Sequence, residues 1–124
     1  MELRSVEELM DLLYACRHQR ALRTAALLRR ARPADKELQV AGLVHGIGEL
    51  LGSADAAARA VRDLLGERVH HLVRGNGAAD EDALRLRQAD EESRTAGFDA
   101  GVLEDWRTVL ELVSARNSRL GAVD

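Results

Sequence analysis

Apolar residues recur along the chain with the three- and four-residue spacing of one face of an α-helix, without the longer apolar–polar alternation of a β-strand. This spacing and its interruptions predict helices at about residues 6–16, 18–31, 36–51, 54–65, 67–74, 79–95 and 100–116. The third segment is apolar on most sides, which is typical of a central, buried helix. The pattern therefore predicts an all-α fold, a single compact bundle of six to seven helices.

Helix-capping and helix-breaking residues stand where the apolar spacing stops. Ser5 and Glu8 form a capping-box pattern ahead of the first helix. Pro33 disfavours a helical residue before it, and Asp35 can cap the helix that follows. Asp99 is expected to cap the last helix.

The chain has 124 residues, of which 46% are hydrophobic, so we expect one domain over residues 1–124 with one continuous core. The folded part is expected to cover about residues 5–116, and the tail at 117–124 is expected to fray.

Charge and composition disfavour several classes of partner. The net charge is −3, and the aromatic residues are few, so neither the strong positive charge nor the rings of a nucleic-acid binder are present. No apolar run is long enough for a membrane span, and the start MELRSVEEL lacks a signal-peptide pattern. Cys16 is the only cysteine. We therefore expect a cytoplasmic protein with no nucleic-acid and no membrane partner.

A run of arginines in the second helix admits two interpretations. It could contact nucleic acid, or it could be the solvated side of a helix in a protein whose only lysine is Lys36, a bias typical of a high-GC bacterial genome. The negative net charge favours the second interpretation. The run comprises Arg17, Arg20, Arg23, Arg29, Arg30 and Arg32.

Four segments, in order, carry a resemblance to a known family. Residues 41–51 read AGLVHGIGELL, an apolar helix with a His-Gly-Ile-Gly sequence inside it. Residues 19–25 (QRALRTA), 66–74 (GERVHHLVR) and 84–90 (LRLRQAD) stand at matching spacings. Together they resemble the HD-domain metalloproteins, whose signature is His-Asp-Ile-Gly, and are closest to the di-iron subfamily of phosphonate-degrading and inositol-cleaving oxygenases. The resemblance covers about residues 17–113 and implies an HD-like helical bundle.

The resemblance also implies that most metal ligands of this family are missing. His45 and Asp90 stand at ligand positions and are retained, whereas Arg20, Gly46 and Asn76 replace three other ligands. The fourth missing histidine falls where the family's loop is shortened. Two protein ligands do not hold a transition metal tightly, so we expect no bound metal and no cofactor.

The residues at these positions allow two kinds of role. His45 is a candidate catalytic acid or base, oriented by Glu49 one turn later or by Asp90, but it is also compatible with a hydrogen-bonded core residue. Arg20 and Asp90 are compatible with a structural ion pair that fills the pocket. Alternatively, Arg20 and Asn76 bind a small anionic ligand.

We favour a metal-free pseudoenzyme that binds a small molecule or a partner, including a second copy of itself through an exposed apolar helix face. One alternative is a metal-independent enzyme with His45 as acid or base on a small anionic metabolite. Another is an oxygenase or phosphohydrolase with a metal site remodelled from His45, Glu49 and Asp90. The missing ligands disfavour the iron-dependent and hydrolytic activities of the family.

Overall fold

The computed structural model describes residues 2–16, 19–75, 80–95 and 97–122, with side chains up to residue 118. Within these residues the chain is helical and contains no β-strand, which confirms the predicted all-α bundle. None of these helices is long and apolar enough to cross a membrane. The α-helices are α1 (Val6–Ala15), α2 (Gln19–Ala31), α3 (Lys36–Val44), α4 (Gly48–Leu51), α5 (Ala54–Leu65), α6 (Glu67–Arg74), α7 (Glu81–Ser93) and α8 (Arg107–Ala122), and two 3-10 turns lie at His45–Ile47 and Leu103–Trp106.

Helix α3 lies at the centre of the bundle. Every residue from Leu38 to Val44 is buried, and α3 contacts α2, α6, α7 and α8. A helix surrounded on all sides must be apolar all round, so the prediction of a central third helix is confirmed. Trp106, in the 3-10 turn ahead of α8, is also fully buried.

Two of the predicted helix starts, at Ser5 and Asp35, have the capping contacts expected of them. Ser5 Oγ accepts the backbone N–H of Glu8 at 3.2 Å. The Glu8 carboxylate reaches back to the backbone N–H of Arg4 at 2.8 Å, one residue earlier than in a standard capping box. Asp35 Oδ1 accepts the N–H of Leu38 at 3.1 Å. These contacts satisfy N–H groups that have no partner inside their helix.

The third predicted helix, residues 36–51, is not continuous. It changes to a 3-10 turn at His45–Ile47 and resumes as the single turn of α4. His45 Nδ1 lies 2.7 Å from the carbonyl oxygen of Gly42, the atom that would accept the α-helical hydrogen bond from Gly46. The two glycines in this stretch, at 46 and 48, also have weak helix propensity. The break matters because it sets the orientation of the His45 ring.

The last helix begins later than predicted and ends later. Asp99 does not cap it but accepts the backbone N–H of Gly101 at 2.9 Å in a local turn. Gly101 has a φ of +85°, a left-handed conformation that cannot belong to an α-helix. The α-helix proper starts at Arg107 and continues to Ala122, beyond the predicted end at residue 116.

Candidate functional site

Three of the predicted site residues meet although they come from distant parts of the chain. Arg20 lies in the first turn of α2, His45 opens the 3-10 turn after α3, and Asp90 lies on α7. Helix α2 packs against both α3 and α7, which brings the three side chains to one place. We call them the Arg20–Asp90–His45 triad.

Asp90 is the centre of the triad. Arg20 Nη2 donates to Asp90 Oδ2 at 2.8 Å, and His45 Nε2 lies 3.0 Å from Asp90 Oδ1. The hydrogen bond from His45 is the main cause that lowers the pKa of Asp90 below its ordinary value. Burial opposes this effect, and the positive charges of His45, Arg20 and Arg94 add to it. Asp90 is therefore a carboxylate whose two oxygens each have a partner.

Both nitrogens of the His45 ring are engaged. Nδ1 lies 2.7 Å from the carbonyl oxygen of Gly42, and Nε2 lies 3.0 Å from Asp90. A carbonyl and a carboxylate are both acceptors, so each ring nitrogen faces an acceptor group of the protein. The ring has no free nitrogen directed at the surroundings.

Arg20 makes further contacts that fasten α2 to the end of α7. Its Nε donates to Ser93 Oγ at 3.4 Å, and its Nη2 also reaches the carbonyl oxygen of Asp90 at 3.4 Å. Ser93 is fully buried. Within the described part of the chain, Arg20 Nη1 has no hydrogen-bond partner, so one edge of the guanidinium is available to a ligand.

An open cleft of about 880 Å³ lies beside the triad. Its walls are the end of α1 with Cys16, the start of α2, the segment from His45 to Ala54, and the end of α7 with Arg94. The side chains of Arg20, His45 and Asp90 remain 37%, 25% and 22% exposed. The ion pair and the open pocket, which the sequence offered as alternatives, are therefore both present.

Gly46 is what leaves this part of the cleft open. A Cβ at position 46 would meet nothing within 4 Å, whereas one at Gly42 would come within 2.5 Å of Leu28 Cδ1. Gly42 is thus required by close packing of α3 on α2, and Gly46 is not required by packing. Position 46 can accept a side chain that projects into free space.

Glu49 lies on the cleft but does not contact His45. Both ring nitrogens of His45 are occupied by Gly42 and Asp90, so the orienting role that the sequence offered to Glu49 or Asp90 is performed by Asp90. Glu49 is exposed, and its negative charge acts on the thiol of Cys16. Burial, and secondly the negative charge of Glu49, raise the pKa of the Cys16 thiol.

Two cleft residues were missed in the sequence. Cys16 was given no site role, but it is only partly buried and lines the cleft. Arg94 was not considered, although it stands four residues after Asp90 and therefore projects from the same side of α7. That spacing was a usable signal. Asn76, the remaining predicted ligand-binding residue, lies outside the described residues, and its role stays a prediction.

The arginines of α2 have partners within the protein. Arg29 stacks over the Trp106 ring at 4.8 Å, and Arg30 over the Phe98 ring at 4.9 Å. Arg32 donates to Asp82 at 3.2 Å, and Arg23 donates to the carbonyl of Ser93 at 3.2 Å. These contacts give each of these side chains a role in holding the bundle together.

The donors of the site do not suit a transition-metal ion. Among the residues that the structure describes, no group of three or more histidine, cysteine, aspartate and glutamate side chains is placed to hold a metal. Both oxygens of Asp90 are bonded to Arg20 and His45, and Gly46 offers no donor. A guanidinium carries a permanent positive charge, so it repels a cation at this position.

The site combines a cation, a carboxylate and open space. It offers a partly exposed cation, a carboxylate already neutralised by its neighbours, and room for a small molecule. In comparisons with known proteins, the chain matches no protein-family model, no curated protein and no solved structure.

Proposed function

We propose that the protein is a degenerate HD-domain-like module that binds a small anionic molecule, without a metal ion, in the cleft beside the Arg20–Asp90–His45 triad. It is a pseudoenzyme in the sense that it keeps the scaffold and binding space of the family and has lost the chemistry. The observation that carries the proposal is an open cleft of about 880 Å³ bordered by this triad.

The spatial meeting of three residues supports the HD-like part of the proposal. The resemblance assigns Arg20, His45 and Asp90 to three ligand positions of one metal centre. In the structure, the Asp90 carboxylate lies within hydrogen-bond distance of both Arg20 and His45. Residues that descend from the ligands of one centre should lie together in this way. The guanidinium of Arg20 then compensates the charge of Asp90 in place of a metal ion.

The cations of the cleft support an anionic ligand. Arg20 Nη1 has no partner among the described residues, and Arg94 has only a long contact of 3.8 Å to the exposed Glu91. A planar guanidinium binds a carboxylate or phosphate through two parallel hydrogen bonds. The cleft therefore has donors that a small anion can use without breaking the triad.

The contacts of His45 favour binding over acid–base catalysis. A general base needs a free lone pair within reach of the substrate proton. Both His45 nitrogens lie against acceptors of the protein, and turning the ring towards a substrate would break its contacts with Asp90 and the Gly42 carbonyl. We therefore place the metal-independent enzyme behind the binding protein.

A pair of glycine variants tests the proposal. Gly46→Leu fills open space in the cleft, and Gly97→Leu makes the same change at an exposed glycine that also has nothing within 4 Å of an added Cβ. Neither glycine has a positive φ, so both should accept leucine. Titration calorimetry with acetate, succinate and inorganic phosphate should detect binding to the wild type. Gly46→Leu should weaken it by roughly tenfold or more, and Gly97→Leu should leave it unchanged.

Two outcomes of that titration would overturn the proposal. One is that none of the three anions binds. The other is that binding occurs with equal affinity in the wild type and in Gly46→Leu, which would place the anion elsewhere on the protein. Circular dichroism of both variants, which should match the wild type, shows that the helices are retained.

A further inference from the structure

The charges that border the cleft are divided between two regions. Arg20 binds Asp90 at 2.8 Å, and Arg94 stands four residues after Asp90 at the end of α7. Glu49 lies on α4, directly after the 3-10 turn. Both regions border the same cleft. The cleft therefore has a cationic region at the end of α7 and an anionic group on the segment that follows the 3-10 turn.

The charges of the two regions do not form an ion pair with each other. The Glu49 side chain makes no hydrogen bond and no ion pair with any residue that the structure describes, and the only such contact of the Arg94 side chain among these residues is the 3.8 Å ion pair with Glu91. Glu49 and Arg94 are also not within ion-pair distance of one another. In contrast, the charge of Asp90 is compensated by Arg20 and His45. The cleft therefore presents to a ligand the Arg94 guanidinium, the free edge of Arg20 and the Glu49 carboxylate.

A simple anion matches only part of this arrangement. Its charge would be attracted by Arg94 and the free edge of Arg20, but it would also be repelled by the Glu49 carboxylate on the same cleft, which weakens the attraction. A ligand that carries one positive and one negative group satisfies both regions.

We propose that the ligand is an amino acid-like zwitterion, whose carboxylate binds Arg94 and the free edge of Arg20 and whose ammonium group binds Glu49. This inference rests on the proposed function and narrows it. A carboxylate offers the two coplanar oxygens that a guanidinium binds best. An ammonium group carries three donors that a carboxylate side chain can accept. Electrostatic complementarity at both ends selects against molecules that carry only one of the two groups.

The test is a comparison of matched ligands by titration calorimetry on the full chain. The probes are the straight-chain ω-amino acids from glycine to 6-aminohexanoate, each compared with the carboxylic acid and the amine of equal chain length. At least one amino acid should bind roughly tenfold more tightly than both of its matched partners. The best chain length then reports the separation of the two binding groups.

Two substitutions assign the groups. Glu49→Gln should abolish the preference for the best amino acid over its deaminated acid, because it lowers the affinity for the amino acid and removes the repulsion that weakens binding of the acid. Arg94→Gln should weaken both. Glu111→Gln, on an exposed position of α8, removes the same charge away from the cleft and should have no effect.

The zwitterion inference is overturned if the acids bind as well as the amino acids, or if Glu49→Gln does not change the preference. Anion binding that is sensitive to Gly46→Leu would then still stand, so this failure is distinct from failure of the proposed function. If no probe of any charge binds, both are overturned.

Discussion

Replacing Asp90 with alanine is expected to lower the free energy of unfolding by about 2–3 kcal/mol. The Arg20 guanidinium and the His45 ring would lose their shared hydrogen-bond partner. The loss should fall below that for a fully buried ion pair, since the three side chains are between 22% and 37% exposed and water can reach them. Urea denaturation of the wild type and the variant gives the difference directly.

A double-mutant cycle measures the interaction energy between Arg20 and Asp90 separately from their other contacts. Arg20→Ala, Asp90→Ala and the combined variant should show a coupling energy of about 1–2 kcal/mol, because removing either partner already breaks the contact. Strict additivity of the two substitutions would mean that Arg20 and Asp90 do not interact in solution, and the triad would lose its basis.

The contribution of Asp90 to the free energy of unfolding should decrease at acid pH. The pKa of Asp90 is lower in the folded protein than in the unfolded chain, so its ionised form stabilises the fold. That stabilisation is fully present above the ordinary aspartate pKa of about 4 and is lost as the pH falls through the lower, folded-state value. The difference between the wild type and Asp90→Asn should therefore shrink at acid pH. A difference that does not depend on pH would contradict this account.

The second large effect is expected at Arg68, away from the cleft. Its guanidinium binds Asp35 through two hydrogen bonds, Nη1 to Oδ1 at 2.6 Å and Nη2 to Oδ2 at 2.7 Å. It also donates to Asp82 at 3.0 Å and to Glu37 at 3.3 Å. Asp35 caps α3, and Asp82 lies in the first turn of α7. One side chain on α6 thus joins the starts of α3 and α7.

Arg68→Ala is expected to lower the free energy of unfolding by about 2–3 kcal/mol, because it removes several charged hydrogen bonds and leaves three carboxylates close together. Thermal unfolding should shift down by about 10 °C for a domain of this size. The matched control is Arg59→Ala. Arg59 is 68% exposed and makes only an i,i+4 pair with Asp55, so its loss should stay within about 0.5 kcal/mol.

Arg68 also makes a pH-dependent contribution through Asp35. Its hydrogen bond is the main cause that lowers the pKa of Asp35. The stabilisation is present above the ordinary aspartate pKa and is lost as the pH falls through the lower value in the folded protein. Equal sensitivity of Arg68→Ala and Arg59→Ala, or a constant Arg68→Ala deficit down to strongly acid pH, would refute the role given to this contact.

The sequence predicted the helices well where local chemistry determines them. The starts of α1 and α3 follow from Ser5 and Asp35, whose side chains accept N–H groups three residues later. The burial of α3 follows from apolar residues on all its sides. The predicted helices were wrong at two points. At Gly101 a left-handed backbone, and at His45 a side-chain contact to the Gly42 carbonyl, interrupts the helical pattern.

The candidate site was predictable only in part. The meeting of Arg20, His45 and Asp90 was expected because a resemblance placed them in one centre. Spacing along the chain does not reveal that a cleft stays open beside them, since this depends on how α1 and the segment from His45 to Ala54 pack. Cys16 was missed for that reason. The Arg68 contacts join residues 14 to 33 positions apart, which no local pattern reports.

The central claim is that an arginine-bearing triad stands where the resemblance implies a metal, and elemental analysis of the purified protein tests it most directly. The protein would be produced with iron, manganese and zinc supplied, then incubated with each ion and separated from the excess. We predict bound metal far below the stoichiometric amount, because Arg20 and His45 occupy both oxygens of Asp90 and Gly46 supplies no donor. Near-stoichiometric metal in the wild type that is lost in Asp90→Ala would contradict the account.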